Sequence, residues 1–548
     1  MHIYGSSKIR KESGKVWMKD YLMQGGENSV TEKTKKWNRP GMLYFLAGFL
    51  LTTLVTGASF ARIGVWPFGD KTVLLVDSLH QYLPFYTDLH EKLTEGESLL
   101  YSFSGGLGYN FWSTLAYYMA SPLNLLMVLI PMKNVCDFMD FAILLKTAFS
   151  AGCFSWYLHR RDPERIYLPA VFGMMFGLSN FMIGYSFNLM WLESIAMLPL
   201  IMAGIEKITE GKSGRLFGFS LFYGLWCNYY IGFMLCLFSC LYFLVRWISR
   251  QGISFRAVAR SCLTFAWYAL LAGGMAALIL LPAFMGLSTS ESMQENTFPT
   301  TVDFYTSLLE MLKNHLILLG PVTVSSSQVG LNIYCGIAVL LLVPLYLFDG
   351  KIRIRERLSH YGLCAFLLLS FSFNILNYIW HGFHVQNGIP NRFAFIYIVL
   401  LLVMAYDALP HLRSYCLPEL LFAAALPIGL TVYWMMHSEG EVHEYTYLVS
   451  IGLTVLYFGL LLVGKYLPVR STRSFYAVLA GVLLLESSAN AIYDCHRQYE
   501  ITRQKRGSDS RCAGSVRQYC EVLSAQASGY GMHPFLPAVR ETGHAGRG

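Results

Sequence analysis

Ala116-Tyr117-Tyr118-Met119-Ala120-Ser121-Pro122-Leu123-Asn124-Leu125-Leu126-Met127-Val128-Leu129-Ile130-Pro131 is apolar enough to enter a bilayer. It is short for the task, since a crossing helix needs about 20 residues. Pro122 interrupts it near its start. Whether it crosses decides the side of every later loop. Longer apolar runs surround it at about 41–61, 137–158, 167–186, 187–206, 259–283, 331–348, 361–380, 392–409, 415–436, 446–464 and 474–492. The run 215–247 is too long for one helix and is broken by Asn228-Tyr229-Tyr230, so it reads as two spans, which makes thirteen.

Loop charge arbitrates, because cytoplasmic loops collect Lys and Arg. If 116–131 does not cross, one side holds 1–40, 159–166, 207–215, 246–260, 351–357, 411–414 and 465–473, with 27 basic residues. The other side holds 62–136, 284–330, 381–391 and 437–445, with five. The stretch therefore reads as an interfacial or re-entrant helix. The N-terminus is expected to be cytoplasmic and the C-terminal tail extracytoplasmic.

Composition agrees. Of 548 residues, 54% are hydrophobic and only 14% charged, against about 25% charged in a soluble domain. The chain reads as an all-α polytopic membrane protein. Its net charge of +8 is spread over short loops, which argues against a nucleic-acid partner. The twelve cysteines form no CxxC pair or zinc-spaced cluster, and most read as small buried hydrophobes. No cleavable signal peptide is visible, so 41–61 reads as a retained first span. The expected organisation is a basic cytoplasmic segment 1–40, a membrane core 41–492 with its first extracytoplasmic loop at 62–136, and a tail 493–548. From about Asp494 that tail is expected to be poorly ordered.

Four constellations break the apolar pattern on the expected outer face. The first is Asp77-Ser78-Leu79-His80-Gln81-Tyr82-Leu83-Pro84-Phe85. It leads into an amphipathic helix with Leu79, Tyr82, Leu83, Tyr86, Leu89 and Leu93 at helical spacing. Asp77 fits the N-cap of that helix, and on the residues alone capping is the simpler reading. The second, Ser104-Gly105-Gly106-Leu107-Gly108-Tyr109-Asn110-Phe111-Trp112, is a tight glycine turn and not a P-loop. The third, Asn188-Leu189-Met190-Trp191-Leu192-Glu193, buries an acid about one turn into a span, which is costly unless it faces a cavity or partner. The fourth runs from His381 through His384, Asn387 and Pro390-Asn391 to Arg392, whose fork suits phosphate oxygens; a helix anchor is the competing reading. The two histidines have no assured third ligand. Lys146 and Glu486 also lie within spans, with partners the sequence does not name.

In this order, together with Tyr117-Tyr118…Ser121-Pro122 and Asn228-Tyr229-Tyr230-Ile231-Gly232-Phe233, these blocks resemble the YfhO-like bacterial membrane proteins over about 41–495. The resemblance implies a GT-C type glycosyltransferase of the bacterial plasma membrane, with a many-helix bundle and interfacial helices in its first outer loop. Its implied donor is a sugar on a polyprenyl phosphate, and its implied acceptor a cell-wall polymer such as lipoteichoic acid. Asp77 takes the place of the catalytic acid, and 80–93 and 116–131 those of the flanking helices. His80, Gln81, Asn188, Trp191, Glu193, His384 and Arg392 are the implied substrate-binding residues. Acidic loop residues are of the type that holds Mg²⁺ or Mn²⁺, but no ligand set is defined.

Position 193 is Glu where the motif leads one to expect Asp. The tail is shorter than the family's large extracytoplasmic region, and truncation or a changed reading frame is the expectation. Two other readings stay open: a lipid-linked sugar flippase or transporter, and a non-catalytic assembly partner. Acids gathered in an outer loop, and the lack of a clear internal repeat, speak against a transporter.

Overall fold

The computed structural model describes residues 38–250, 254–288, 298–323, 330–386, 388–438, 442–468 and 471–507. Most of the basic segment 1–40, Asn387 and the tail beyond 507 lie outside the described residues.

The chain begins with α1 (Asn38–Ile63). The first loop follows, with a π-type turn over Ser78–Tyr82, α2 (Leu83–Glu95), a hairpin of β1 (Tyr101–Ser102) and β2 (Tyr109–Asn110), and α3 (Phe111–Tyr118). Then come α4 (Val135–Arg161), α5 (Leu168–Gly177), α6 (Asn180–Gly184), α7 (Leu189–Ala196), α8 (Leu198–Thr209), α9 (Arg215–Cys227), α10 (Tyr229–Ile248) and α11 (Phe255–Ser288). The rest is α12 (Leu308–Lys313), α13 (Ile337–Phe348), α14 (Ile354–Ser372), α15 (Asn374–Trp380), α16 (Ala394–Ala408), α17 (Leu417–His437), α18 (Glu444–Tyr466) and α19 (Thr472–Gly507).

The deciding stretch does not form a helix long enough to cross. It splits into the end of α3 and a 3₁₀ segment, Pro122–Leu129. Ser121 caps that segment by accepting from the Leu123 amide, with Pro122 at its first position, where a missing N–H costs nothing.

Among the described residues nine helices are long and apolar enough to cross a membrane, and Leu168–Gly184 and Ile337–Phe348 are apolar but shorter. The sequence reading counted thirteen. The difference lies in broken and polar-ended elements. The run 167–186 is interrupted at Leu178-Ser179, and α14 begins with a charged first turn. The break at Asn228 is where the sequence placed it. Asn228 ends α9 in extended geometry, and its side chain caps α10 by accepting from the Ile231 amide at 2.9 Å. Its amide group also donates to the Tyr117 carbonyl at 2.8 Å, tying the junction to the first loop.

The core is continuous from the first loop through α4–α10 to α16. α1 and α4 approach closely because Gly48 lies against Ser155 and Gly152 against Phe45, where an added Cβ would clash. The end of the bundle remote from the first loop is held by charge. Arg161 of α4 grips Asp407 of α16 with two nitrogens, at 2.8 and 2.6 Å, and reaches Glu206 of α8 at 2.9 Å. Tyr157 and Tyr242 donate to the same Glu206 carboxylate, and Arg246 pairs with Glu356 at 3.1 Å.

α19 continues to Gly507, past the point where order was expected to fail. The physical reason is partnering. Asn490 donates to Asp494 at 2.6 Å, Arg497 to the Leu319 carbonyl at 3.1 Å, and Gln498 to the Gly184 carbonyl at 3.1 Å.

Asn228→Ala should destabilise the chain by about 1–2 kcal/mol through the lost cap, and Asn228→Asp should not recover it, because it keeps the cap acceptor but turns a buried carboxylate on the Tyr117 carbonyl in place of the amide donor. Thermal unfolding in detergent measures both, and an Ala variant as stable as the parent contradicts the assignment.

Candidate active site

Asp77 sits on a strained turn. Val76 before it has φ +46°, a left-handed conformation that a β-branched residue adopts only under constraint. Ser78 supplies the constraint, since its hydroxyl accepts from the Leu75 amide at 2.7 Å and donates to the Leu75 carbonyl at 2.6 Å. Asp77 occupies the position before the helical turn, yet it has helical dihedrals and makes no capping bond. The cap reading of Asp77 therefore does not hold. Its carboxylate is half-buried, beside the exposed His80 and Gln81.

From this turn a tyrosine wall leads across the bundle. Tyr82 donates to Asn188 Oδ1 at 2.9 Å, and Gln81 donates to the Tyr118 hydroxyl at 3.2 Å. The Tyr118 ring packs on Tyr82, Phe85 and Tyr117. Tyr117 packs on Tyr229 and Tyr230 at the start of α10. Arg392 closes the wall, its guanidinium 5.3 Å from the Tyr230 ring centre and 5.6 Å from that of Trp191. Such faces attract a guanidinium without neutralising it.

Arg392 is aimed by its backbone. Asn391 has φ +51°. Its amide donates to Gln386 Oε1 at 2.8 Å, and its side chain bonds Asn377 and the Gly330 carbonyl. Tyr185 holds the Pro390 carbonyl at 2.7 Å, and Arg392 Nε donates to the Ile389 carbonyl at 3.0 Å.

Tyr82 and Tyr118 feel both Asp77 and Arg392. Asp77 begins the turn that carries Gln81 and Tyr82 into this wall, and Arg392 packs on the Tyr230 ring at its other end. Burial pushes both phenols up, so they remain protonated donors. His381 accepts from the Arg392 amide and faces the Asn377 carbonyl with its other nitrogen. Burial, then the Arg392 charge, lowers its pKa to about 3. It is a neutral prop under the arginine.

Glu193 stands elsewhere. It is buried and paired with Lys146 at 3.0 Å, and Tyr223 donates to it at 3.2 Å. Lys146 also donates to the Leu189 carbonyl, and Ser150 to that of Leu192. The pair straps α7, which carries Trp191, to α4. His384 contacts the Val385 carbonyl at 2.6 Å. Among the described residues, no three His, Cys, Asp or Glu side chains gather as a metal site. Behind the Asp77 turn, a small cavity of about 40 Å³ opens between α1, α4, α6 and α19, with Val73 and Leu75 in its wall.

The family model for the bacterial membrane protein YfhO matches residues 47–518. This chain belongs to the YfhO family. The structure of ArnT from Cupriavidus metallidurans bound to undecaprenyl phosphate matches with 11% identity and a TM-score of 0.42, over 84% of this chain and 78% of that one. No curated protein matches significantly.

In this YfhO-family chain Asp77, Gln81, Asn188, Trp191 and Arg392 share one wall, and Glu193 supports it from behind. Tyr82, Tyr117, Tyr118 and Tyr230 were legible only as aromatic motifs. Their convergence depends on long-range packing that no local pattern announces.

Two predictions follow from this geometry. Glu193→Met or Lys146→Met alone should cost about 3–5 kcal/mol by leaving a buried charge unpaired, and the double Met variant should recover most of it. Additive losses in thermal unfolding contradict the pairing. For His381, the unfolded chain takes up a proton near the ordinary value of 6.5, whereas the folded ring resists to about 3. Its contribution to stability is therefore lost as pH falls from 6.5 toward 3. His381→Asn should lose less stability than the parent between pH 7 and 5, and equal slopes count against the assignment.

Proposed function

We propose that the chain is a GT-C type glycosyltransferase of the bacterial plasma membrane. It moves a sugar from a polyprenyl-phosphate donor to a hydroxyl of a cell-wall polymer such as lipoteichoic acid. The loop charge bias supports an N-terminus inside and a first loop outside. The observation that carries the reading is the wall itself, which runs from the turn after an uncapped Asp77 through Tyr82, Tyr118 and Tyr117 to Tyr230 and Arg392.

The acceptor oxygen attacks the sugar's anomeric carbon as the bond from that carbon to the phosphate oxygen breaks. The acceptor proton passes to Asp77 as general base. The bonding pair leaves with the phosphate oxygen, and Arg392 stabilises the growing charge with paired N–H donors. Gln81, His80, Asn188 and His384 supply groups to orient sugar or acceptor hydroxyls. The half-buried rings of Tyr117, Tyr118 and Tyr230 offer faces for the sugar, and the buried Trp191 serves by packing against Arg392. Glu193 contributes by holding α7 through Lys146.

Membranes supplied with labelled polyprenyl-phosphate sugar test this. Asp77→Asn should lower transfer about 10²–10⁴-fold at normal protein level. Arg392→Lys should lower kcat/KM for the donor about 10- to 100-fold, the worth of one lost charge-assisted hydrogen bond. Unchanged transfer in Asp77→Asn overturns the role of Asp77. Movement of the lipid between leaflets without transfer overturns the enzyme.

A further inference from the structure

We propose that the β1–β2 hairpin is seated in the lipid leaflet on the first-loop side. There it holds the helix behind Asp77 at a fixed depth. The second clause rests on the function proposed above; the first does not.

Residues 98–112 contain no charged side chain. Leu107 at the tip is 98% exposed and Phe103 beside it 76%, and Leu100 at the base is exposed as well. The tip is built to present them. Gly108 has φ +100° and lies against the Tyr101 ring, where a Cβ would clash. Its amide donates to the Gly105 carbonyl at 2.9 Å, and the Tyr101 hydroxyl donates to the Leu107 carbonyl at 3.3 Å. These bonds tighten the turn and drive Leu107 outward.

The opposite side of the hairpin is polar and buried. Ser102 and Tyr109 both donate to Asp88 Oδ2, at 2.6 and 2.9 Å. Lys92 reaches the Tyr101 carbonyl and Glu97, each at 3.2 Å. Asp88 and Lys92 belong to α2, which continues the turn after Asp77. The hairpin is thus bonded to the helix that follows the candidate catalytic acid.

What the tip meets follows from continuity. α3, directly after β2, is fastened to α11 by Trp112 Nε1 to the Leu278 carbonyl and Ser113 to the Pro282 carbonyl, both 3.4 Å. α11 is a candidate span, and Leu278, Leu281, Phe284 and Met285 on it are 62–71% exposed. That apolar side is the surface a spanning helix gives to lipid. The hairpin extends it at the level where the span ends. Tyr101, Tyr109 and Trp112 at its base match the aromatic belt of a membrane interface. An uncharged tip with fully exposed Leu and Phe suits the headgroup–acyl boundary.

The test is a fluorescent amino acid placed at Leu107 or Phe103 of the full chain, in phosphatidylcholine–phosphatidylglycerol vesicles. Nitroxide lipids labelled near the headgroup or near the chain end act as quenchers, and Glu95 serves as the water-exposed control. The expected result is blue-shifted emission, quenched at least twofold more by the shallow nitroxide than by the deep one. Leu107→Asp should return the Phe103 probe to the Glu95 spectrum. Water-like, unquenched emission at both sites overturns the proposal. Blue-shifted emission that no nitroxide lipid quenches also overturns it, because the tip is then covered by protein. The readout needs no transfer activity, so failure of the assigned function leaves it intact.

Discussion

Charge in a lipid-solvated bundle has to be satisfied by the protein itself, and the structure is arranged around that constraint. At the end remote from the first loop, Arg161 joins α4, α8 and α16 through two carboxylates. Midway, Lys146 and Glu193 join α4 to α7. α4 therefore serves as the common post. Trp191 is held against the bundle by bonds to its own helix from that post. Where the first loop covers the bundle the rule changes: Arg392 is held by ring faces and carbonyls.

Both candidate reactive groups follow a residue forced into left-handed backbone, Val76 before Asp77 and Asn391 before Arg392. Asn tolerates that conformation and Val does not. The turn at Val76 is held by the Ser78 bonds and by the fixed neighbours of Leu75. Conformational strain of this sort persists only where surrounding structure over-determines it. It fixes Asp77 away from the capping geometry that its sequence position invites.

Much of this architecture was legible in the residues. Apolar run length located the candidate membrane-spanning helices, and Pro122 marked a stretch that forms none. Asn228 ended one helix and capped the next, as its type suggests. Other features depended on distance in sequence. Nothing near Lys146 points to Glu193, which lies 47 positions on, because the pairing arises only when α4 packs on α7. The cap at Asp77 was a sound local inference overridden by the turn that Ser78 builds. The helix through Asp494 was hidden because its polar residues read as solvated, although Asn490 and the 318–320 turn satisfy them.

The tyrosine wall has a consequence for how protons travel. Burial keeps Tyr82 and Tyr118 from losing theirs, and His381 refuses one until strongly acid conditions. These groups act as a fixed array of dipoles and not as a proton reservoir. They solvate whatever enters without exchanging hydrogen with it. Under the function proposed above, a proton released beside that array passes to Asp77, because the rings around it neither take one nor give one up.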